Sequence, residues 1–182
     1  MRIHKLAGFI ILTPILIFSA LKLAKAQTKP LETVPHVDLQ KYAGKWYEIA
    51  AFPQRFQKGC TCTTAQYTPT EKGYVTVENN CIKADKNGKK SGIKGKAFVV
   101  ENSGNAKLDV QFFWPFKGKY WIIELPEDYS YAVVGNPDRE YLWILSRTPE
   151  IDQKLYEDIL KRTQEKGFDM SKLQKTIQTC NQ

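Results

Sequence analysis

Between residues 45 and 147 the chain is cut into short β-rich runs, and nothing between them has the period of a helix. The runs are 45–52, 61–68, 74–78, 82–84, 92–101, 107–114, 120–125, 130–135 and 141–147, all rich in aromatic or β-branched residues. The segments 69–73, 85–88, 102–105, 115–118, 126–128 and 136–138 supply Gly, Pro, Asn or Asp as turn chemistry. Neighbouring parallel strands need a crossover of a dozen or more residues, so these short links exclude a doubly wound parallel sheet. They predict an antiparallel meander of about eight strands, which avoids open edges by closing into an up-and-down barrel with room inside for side chains or one small ligand. The fold class is all-β.

One segment, 149–166, reads as a helix. Ile151, Leu155, Ile159 and Leu160 share a face, Thr148-Pro149-Glu150 supplies a start signal and Gly167 a stop. The run 141–147 is apolar at both parities, as expected of a strand whose outer face is covered, so the helix is placed outside the barrel against it. Leu108-Asp109-Val110-Gln111-Phe112 alternates, which gives that strand a wet outer face. Residues 27–36, with Pro30 and Pro35, read as an extended arm, and 167–182 as a tail with a short second helix over 170–178. Residues 27–182 thus make a single domain.

Residues 1–26 read as a signal peptide. Arg2 and Lys5 precede an apolar run from Leu6 to Leu21, and Ala24-Lys25-Ala26 fits small-x-small cleavage before Gln27. The apolar run falls short of the roughly 20 residues a spanning helix needs. Export is expected, to the periplasm or outside the cell. No cysteine follows the leader before Cys60, so any outer-membrane association does not run through a lipidated N-terminal cysteine. The leader also inflates the charge: Lys plus Arg number 27 against 19 Asp plus Glu, but Arg2, Lys5, Lys22 and Lys25 fall in it, leaving 23 against 19. Such an excess does not suggest nucleic acid. Of the 2 histidines, His4 lies in the leader, so His36 is the one imidazole left. That excludes a multi-histidine metal site, and no metal or cofactor is expected.

The residues Gly44-Lys45-Trp46-Tyr47-Glu48-Ile49-Ala50 on a first strand, and the stretch 136–149 ending in Trp143-Ile144-Leu145-Ser146-Arg147-Thr148-Pro149 before the helix, resemble the lipocalin family, in particular bacterial outer-membrane lipocalins and apolipoprotein D. The resemblance runs from about Val37 to Cys180. It implies that Gly44 and Trp46 form the family's first motif, with the indole across the closed base and Arg147 over it, in a structural role. Parity carried from Trp46 and Trp143 points Ala50, Tyr67, Val77, Asn79, Leu108, Val110, Phe112, Tyr120, Tyr131, Trp143 and Leu145 inward. Five of these, Tyr67, Phe112, Tyr120, Tyr131 and Trp143, match cavity-facing positions in proteins similar to apolipoprotein D. Aromatic walls with a few polar tips suit an amphiphile with its chain deep and its head at the mouth.

Four cysteines in an exported chain predict two disulfides. Cys60 and Cys81 flank the 69–73 turn almost symmetrically, which favours their pairing and leaves Cys62 for Cys180, in agreement with what the resemblance implies. The exchanged pairing, Cys62 with Cys81 and Cys60 with Cys180, is the rival. Lys83, Lys86, Lys89, Lys90, Lys94 and Lys96 face only Asp85 within their stretch; they read as a solvated rim or as an attractor for an anionic membrane surface. The function expected is binding or carriage of a fatty acid, lysophospholipid or similar small hydrophobic ligand, without catalysis. The alternative is a lipid-modifying enzyme of the same fold using a cavity thiol, which needs an unpaired cysteine.

Overall fold

The computed structural model describes residues 29–84 and 88–180. The leader and residues 85–87 of the lysine-rich turn lie outside the described residues. Eight strands follow one another: β1 (Gly44–Ala51), β2 (Cys60–Pro69), β3 (Val75–Lys83), β4 (Lys89–Val99), β5 (Lys107–Phe113), β6 (Phe116–Glu124), β7 (Tyr131–Gly135) and β8 (Leu142–Ser146). Each pairs antiparallel with the next, and β1 pairs with both β8 and β2, so the sheet closes on itself. The expected runs 74–78 and 82–84 are one strand, because the polar residues Asn79 and Asn80 between them continue the ladder to β4 without a break.

A helix α1 (Leu39–Tyr42), which carries too few residues to show a period, follows the arm. Asp38 caps it, its carboxylate accepting from the backbone N–H of Gln40 at 2.9 Å and of Lys41 at 3.3 Å. The arm is extended and tied down: Val34 N–H donates to Ile122 O at 3.0 Å and Val37 N–H to Gly104 O at 2.8 Å. Gly104 has φ +58°, and a Cβ there would sit 2.0 Å from Pro35 O, so only glycine lets the arm cross at that point.

The second helix, α2 (Gln153–Glu165), starts later than 149. Thr148 spends its hydroxyl on Ser146 and Glu150, and Asp152 is the cap, accepting from Leu155 N–H at 2.8 Å. Gly167, at φ +88°, follows its last turn. No second α-helix occupies 170–178. A 3-10 turn, Met170–Lys172, leads into a ninth strand, β9 (Gln174–Lys175), paired with Ala50 and Ala51 of β1. β1 and β2 pair only over Gly44–Tyr47, and the tail fills the gap where they part. There Thr176 N–H donates to Ile49 O at 2.9 Å and Cys62 N–H to Ile177 O at 2.7 Å. Gln178 Nε2 bridges the strands, donating to Glu48 O at 2.8 Å and Thr63 O at 2.9 Å.

Two apolar clusters result. The inner one fills the lower barrel around Trp46, Tyr67, Val77, Leu108, Ile122 and Leu145. The outer one lies under α2, where Tyr156 and Ile159 meet Val133, Leu142, Ile144 and Phe168. This second core explains why β7 and β8 are apolar on both faces.

Candidate functional site

The barrel has a shut end and an open end. At the shut end Trp46 is fully buried and its Nε1 donates to Tyr42 O at 2.8 Å. Arg147 lies over the indole, 3.8 Å from the ring centroid, and donates to Lys45 O at 3.0 Å, Lys41 O at 2.6 Å and Tyr129 O at 3.3 Å. Its guanidinium thus satisfies carbonyls of both α1 and β1 while covering the base. Gly44, at φ +95°, turns the chain beneath it, where a Cβ would lie 3.5 Å from Nη1.

Above this plug the inward side chains change character. Tyr67, Val77, Leu108 and Leu145 are buried, whereas Asn79, Val110, Phe112, Tyr120 and Trp143 are only half-buried although they face inward. Solvent therefore reaches the barrel interior from above. Aromatic rings line its wall as a ladder: Trp46 to Tyr42 at 4.9 Å, Tyr42 to Tyr67 at 5.3 Å, Tyr67 to Tyr120 at 6.0 Å, Tyr120 to Trp143 at 6.3 Å, and Trp143 stacked on Tyr141 at 5.9 Å near the rim. Phe112 packs where β4 has Gly95; a Cβ there would come within 2.7 Å of the Phe112 ring.

The lower part of the ladder has polar tips. Tyr120 Oη sits 2.7 Å from Tyr42 Oη and 2.8 Å from Tyr67 Oη. Burial pushes all three phenols well above their ordinary pKa, so they remain neutral at physiological pH. Three hydroxyl protons serve two hydrogen bonds in this chain, which leaves one donor for a further acceptor.

Two of the expected inward residues point the other way. Ala50 belongs to the outer cluster, because the β1–β8 register shifts between Glu48 and Ala50 and sets Ala50 opposite Ile144, with Ala51 opposite Trp143. Tyr131 also faces outward. On β7 it is Ala132 and Val134 that lie opposite Leu145 and Trp143, while Tyr131 lies opposite Ser146. The Tyr131 hydroxyl donates to Glu124 Oε1 at 2.6 Å, and Arg162 of α2 pairs with the same carboxylate oxygen at 2.6 Å. Burial and this carboxylate push the phenol up to about 12. It anchors the helix.

Glu48, in turn, is an inward residue not expected from the sequence. It lies opposite Leu145, buried, its carboxylate accepting from Thr176 Oγ1 and Gln57 Nε2 at 2.6 and 2.9 Å. Alternation from Trp46 puts position 48 inside. Burial raises its pKa, partly offset by the two donors.

Cys60 is bonded to Cys81 and Cys62 to Cys180, with Cα separations of 5.5 and 6.3 Å. All four cysteines are thereby consumed, so the thiol-enzyme alternative has no nucleophile. Among the described residues no three His, Cys, Asp or Glu side chains come together as a metal site. Two open clefts on the outer surface, beside Glu124 and Arg162 and beside Trp121 and Arg139, lie outside the barrel.

A closed eight-stranded barrel, plugged at one end and lined by half-buried aromatic side chains at the other, defines a small-ligand-binding β-barrel protein. The family model described as "Lipocalin-like domain" matches residues 37–178. Temperature-induced lipocalin-1 of Arabidopsis thaliana is 39% identical over 162 residues, covering 84% of this chain and 86% of that protein. Outer membrane lipoprotein Blc of Vibrio cholerae is 38% identical over 168 residues, covering 92% and 95%. Apolipoprotein D of Mus musculus is 33% identical over 166 residues, covering 86% and 84%. Among solved structures, insecticyanin of the tobacco hornworm Manduca sexta superposes with a TM-score of 0.65 at 23% identity, over 80% of this chain and 83% of that one. The chain belongs to the lipocalin family.

Proposed function

We propose that this protein is an exported carrier that holds one fatty acid, lysophospholipid or similar amphiphile in the barrel, acyl chain inward and head group at the mouth. The observation that carries this reading is the set of inward yet half-buried side chains, Val110, Phe112, Tyr120 and Trp143, on a wall whose lower end is sealed by Trp46 and Arg147. Burying several methylenes at about 0.8 kcal/mol each makes micromolar affinity reachable after the cost of immobilising the ligand. Lys83, Lys89 and Lys90, at the β3–β4 tip, sit at the same mouth and favour an anionic head group or membrane surface. Export is supported by the 1–26 leader and by two disulfides, which persist in oxidising compartments; similarity to a protein named an outer membrane lipoprotein agrees with it.

Native mass spectrometry of protein purified without detergent, followed by organic extraction, tests this reading. One lipid per barrel is expected. A ligand-free barrel that takes up no added fatty acid or lysophospholipid contradicts it.

A further inference from the structure

In an antiparallel barrel alternate loops share an end, so the β1–β2, β3–β4, β5–β6 and β7–β8 connections all surround the mouth, opposite Trp46. Large apolar side chains stand out there without cover. The β5–β6 tip exposes Phe113, Trp114 and Phe116 to 69%, 85% and 76%, and the β1–β2 loop exposes Phe56 to 65%. Neither core needs them, and a water-facing surface does not gain from four such rings at one end. Behind them stands a basic belt. Lys83, Lys89 and Lys90 flank the tip of the β3–β4 hairpin, and Lys58 lies beside Lys83, whose Nζ donates to its carbonyl at 2.7 Å; Lys94 further down is paired with Glu78. The loops at the plugged end carry Glu71, Glu101, Glu127 and Asp128 against Lys72, while at the mouth Asp138 and Glu140 of the β7–β8 loop stand beside Arg139.

We propose that the open end of the barrel docks on anionic lipid bilayers, with Trp114, Phe113 and Phe116 entering the head-group layer, Phe56 reaching it from the β1–β2 loop across the mouth, and the lysines facing lipid phosphates. The chemistry commits to a bilayer rather than a protein partner. Aromatic tips on separate loops, backed by flexible lysines, offer no continuous groove for a partner chain, whereas rings at head-group depth with cations beside them match an interface. The mouth carries the larger excess of positive charge, so an anionic surface attracts it in preference to the plugged end, where acids and the lysines of α1, β1 and the 70–74 loop offset one another. A docked barrel then opens directly onto the lipid it is proposed to carry; that purpose rests on the ligand reading above, while the docking does not.

Sedimentation with phosphatidylcholine vesicles, with and without phosphatidylglycerol, tests the proposal. The full mature chain should pellet with phosphatidylglycerol vesicles at low salt, and Trp114 emission should shift to the blue, a change absent from Trp114→Phe. Trp114→Ser with Phe116→Ser should lower the bound-to-free ratio about tenfold or more, and Lys89→Gln with Lys90→Gln should lower it roughly fivefold per charge. These side chains are exposed, so all the variants should keep the parent's melting temperature, and the Trp114/Phe116 variant should also keep its binding of a monomeric fatty acid in solution. A parent that stays in the supernatant with anionic vesicles, or a Trp114/Phe116 variant that pellets equally well, overturns the docking. A parent that pellets but binds no fatty acid leaves the docking standing and removes the carrier reading instead.

Discussion

Arg147 lies over Trp46 at 3.8 Å, and its nitrogens hold carbonyls on α1 and β1 as well as Tyr129 O. One side chain therefore closes the barrel and joins the two elements that enter its base, so a ligand has to use the opposite end.

Trp46→Ala should cost about 3–5 kcal/mol of stability, the usual loss for a large buried aromatic. Ligand affinity should change little, because the indole lies below the half-buried zone. Chemical denaturation of the variant beside the parent measures the first and lipid titration the second; equal denaturation midpoints would show that Trp46 is not the plug.

Tyr120 is the middle member of the phenol chain, so Tyr120→Phe removes both hydrogen bonds and leaves two buried hydroxyls short of a partner. We expect a loss of about 1–3 kcal/mol. Tyr42→Phe or Tyr67→Phe, each removing one bond together with its own hydroxyl, should cost less. Melting curves of the three variants give the order, and a Tyr120 variant as stable as the parent contradicts it.

Glu48 makes stability depend on pH. Burial holds its folded pKa above the ordinary 4.5, so the unfolded chain loses this proton first. Below the ordinary value the group has no effect. As pH rises from there through the raised folded value, the folded state binds more protons and stability falls, and the full cost persists above it. Glu48→Gln should abolish that slope. Parallel stability curves for parent and variant between about pH 4 and pH 7 would contradict the assignment.

The disulfides staple different things. Cys60–Cys81 closes a hairpin with a separation of 21, and Cys62–Cys180 fixes the tail across a separation of 118. In the chain-entropy model the first is worth about 3 kcal/mol and the second about 4–5 kcal/mol. Cys62→Ser with Cys180→Ser should be the more destabilising pair. No tryptic site separates Cys60 from Cys62, so partial reduction with sequential alkylation checks the pairing. Cys60 and Cys180 labelled together while Cys62 and Cys81 stay bridged would overturn it.

The barrel was legible because turn residues punctuate the strands and the helix has a clean apolar face. What failed did so where local pattern carries no sense of direction. β7 reads Tyr131-Ala-Val-Val-Gly135, apolar on both faces, so nothing local says that Tyr131 turns toward Arg162 and Ala132 inward. Ala50 flips because of a register shift visible only in the pairing of β1 with β8. Glu48 has the inward parity of Trp46, but nothing local accounts for a carboxylate in the barrel until the tail arrives with Thr176, whose contact spans 128 residues. α1 spans four residues, too few for a period, and its last turn is held by Arg147 donating to Lys41 O from 106 residues away.

Titration of a long-chain fatty acid or lysophospholipid against the tryptophan emission of parent and Trp143→Ala tests the central claim most directly. Trp143 sits on the inner wall between Tyr120 and Tyr141. One saturable site of about micromolar affinity is expected, with competition between the two lipid classes, quenching lost with Trp143, and affinity weakened about tenfold or more in the variant. Unchanged affinity of Trp143→Ala for every lipid tested would contradict a ligand held inside the barrel.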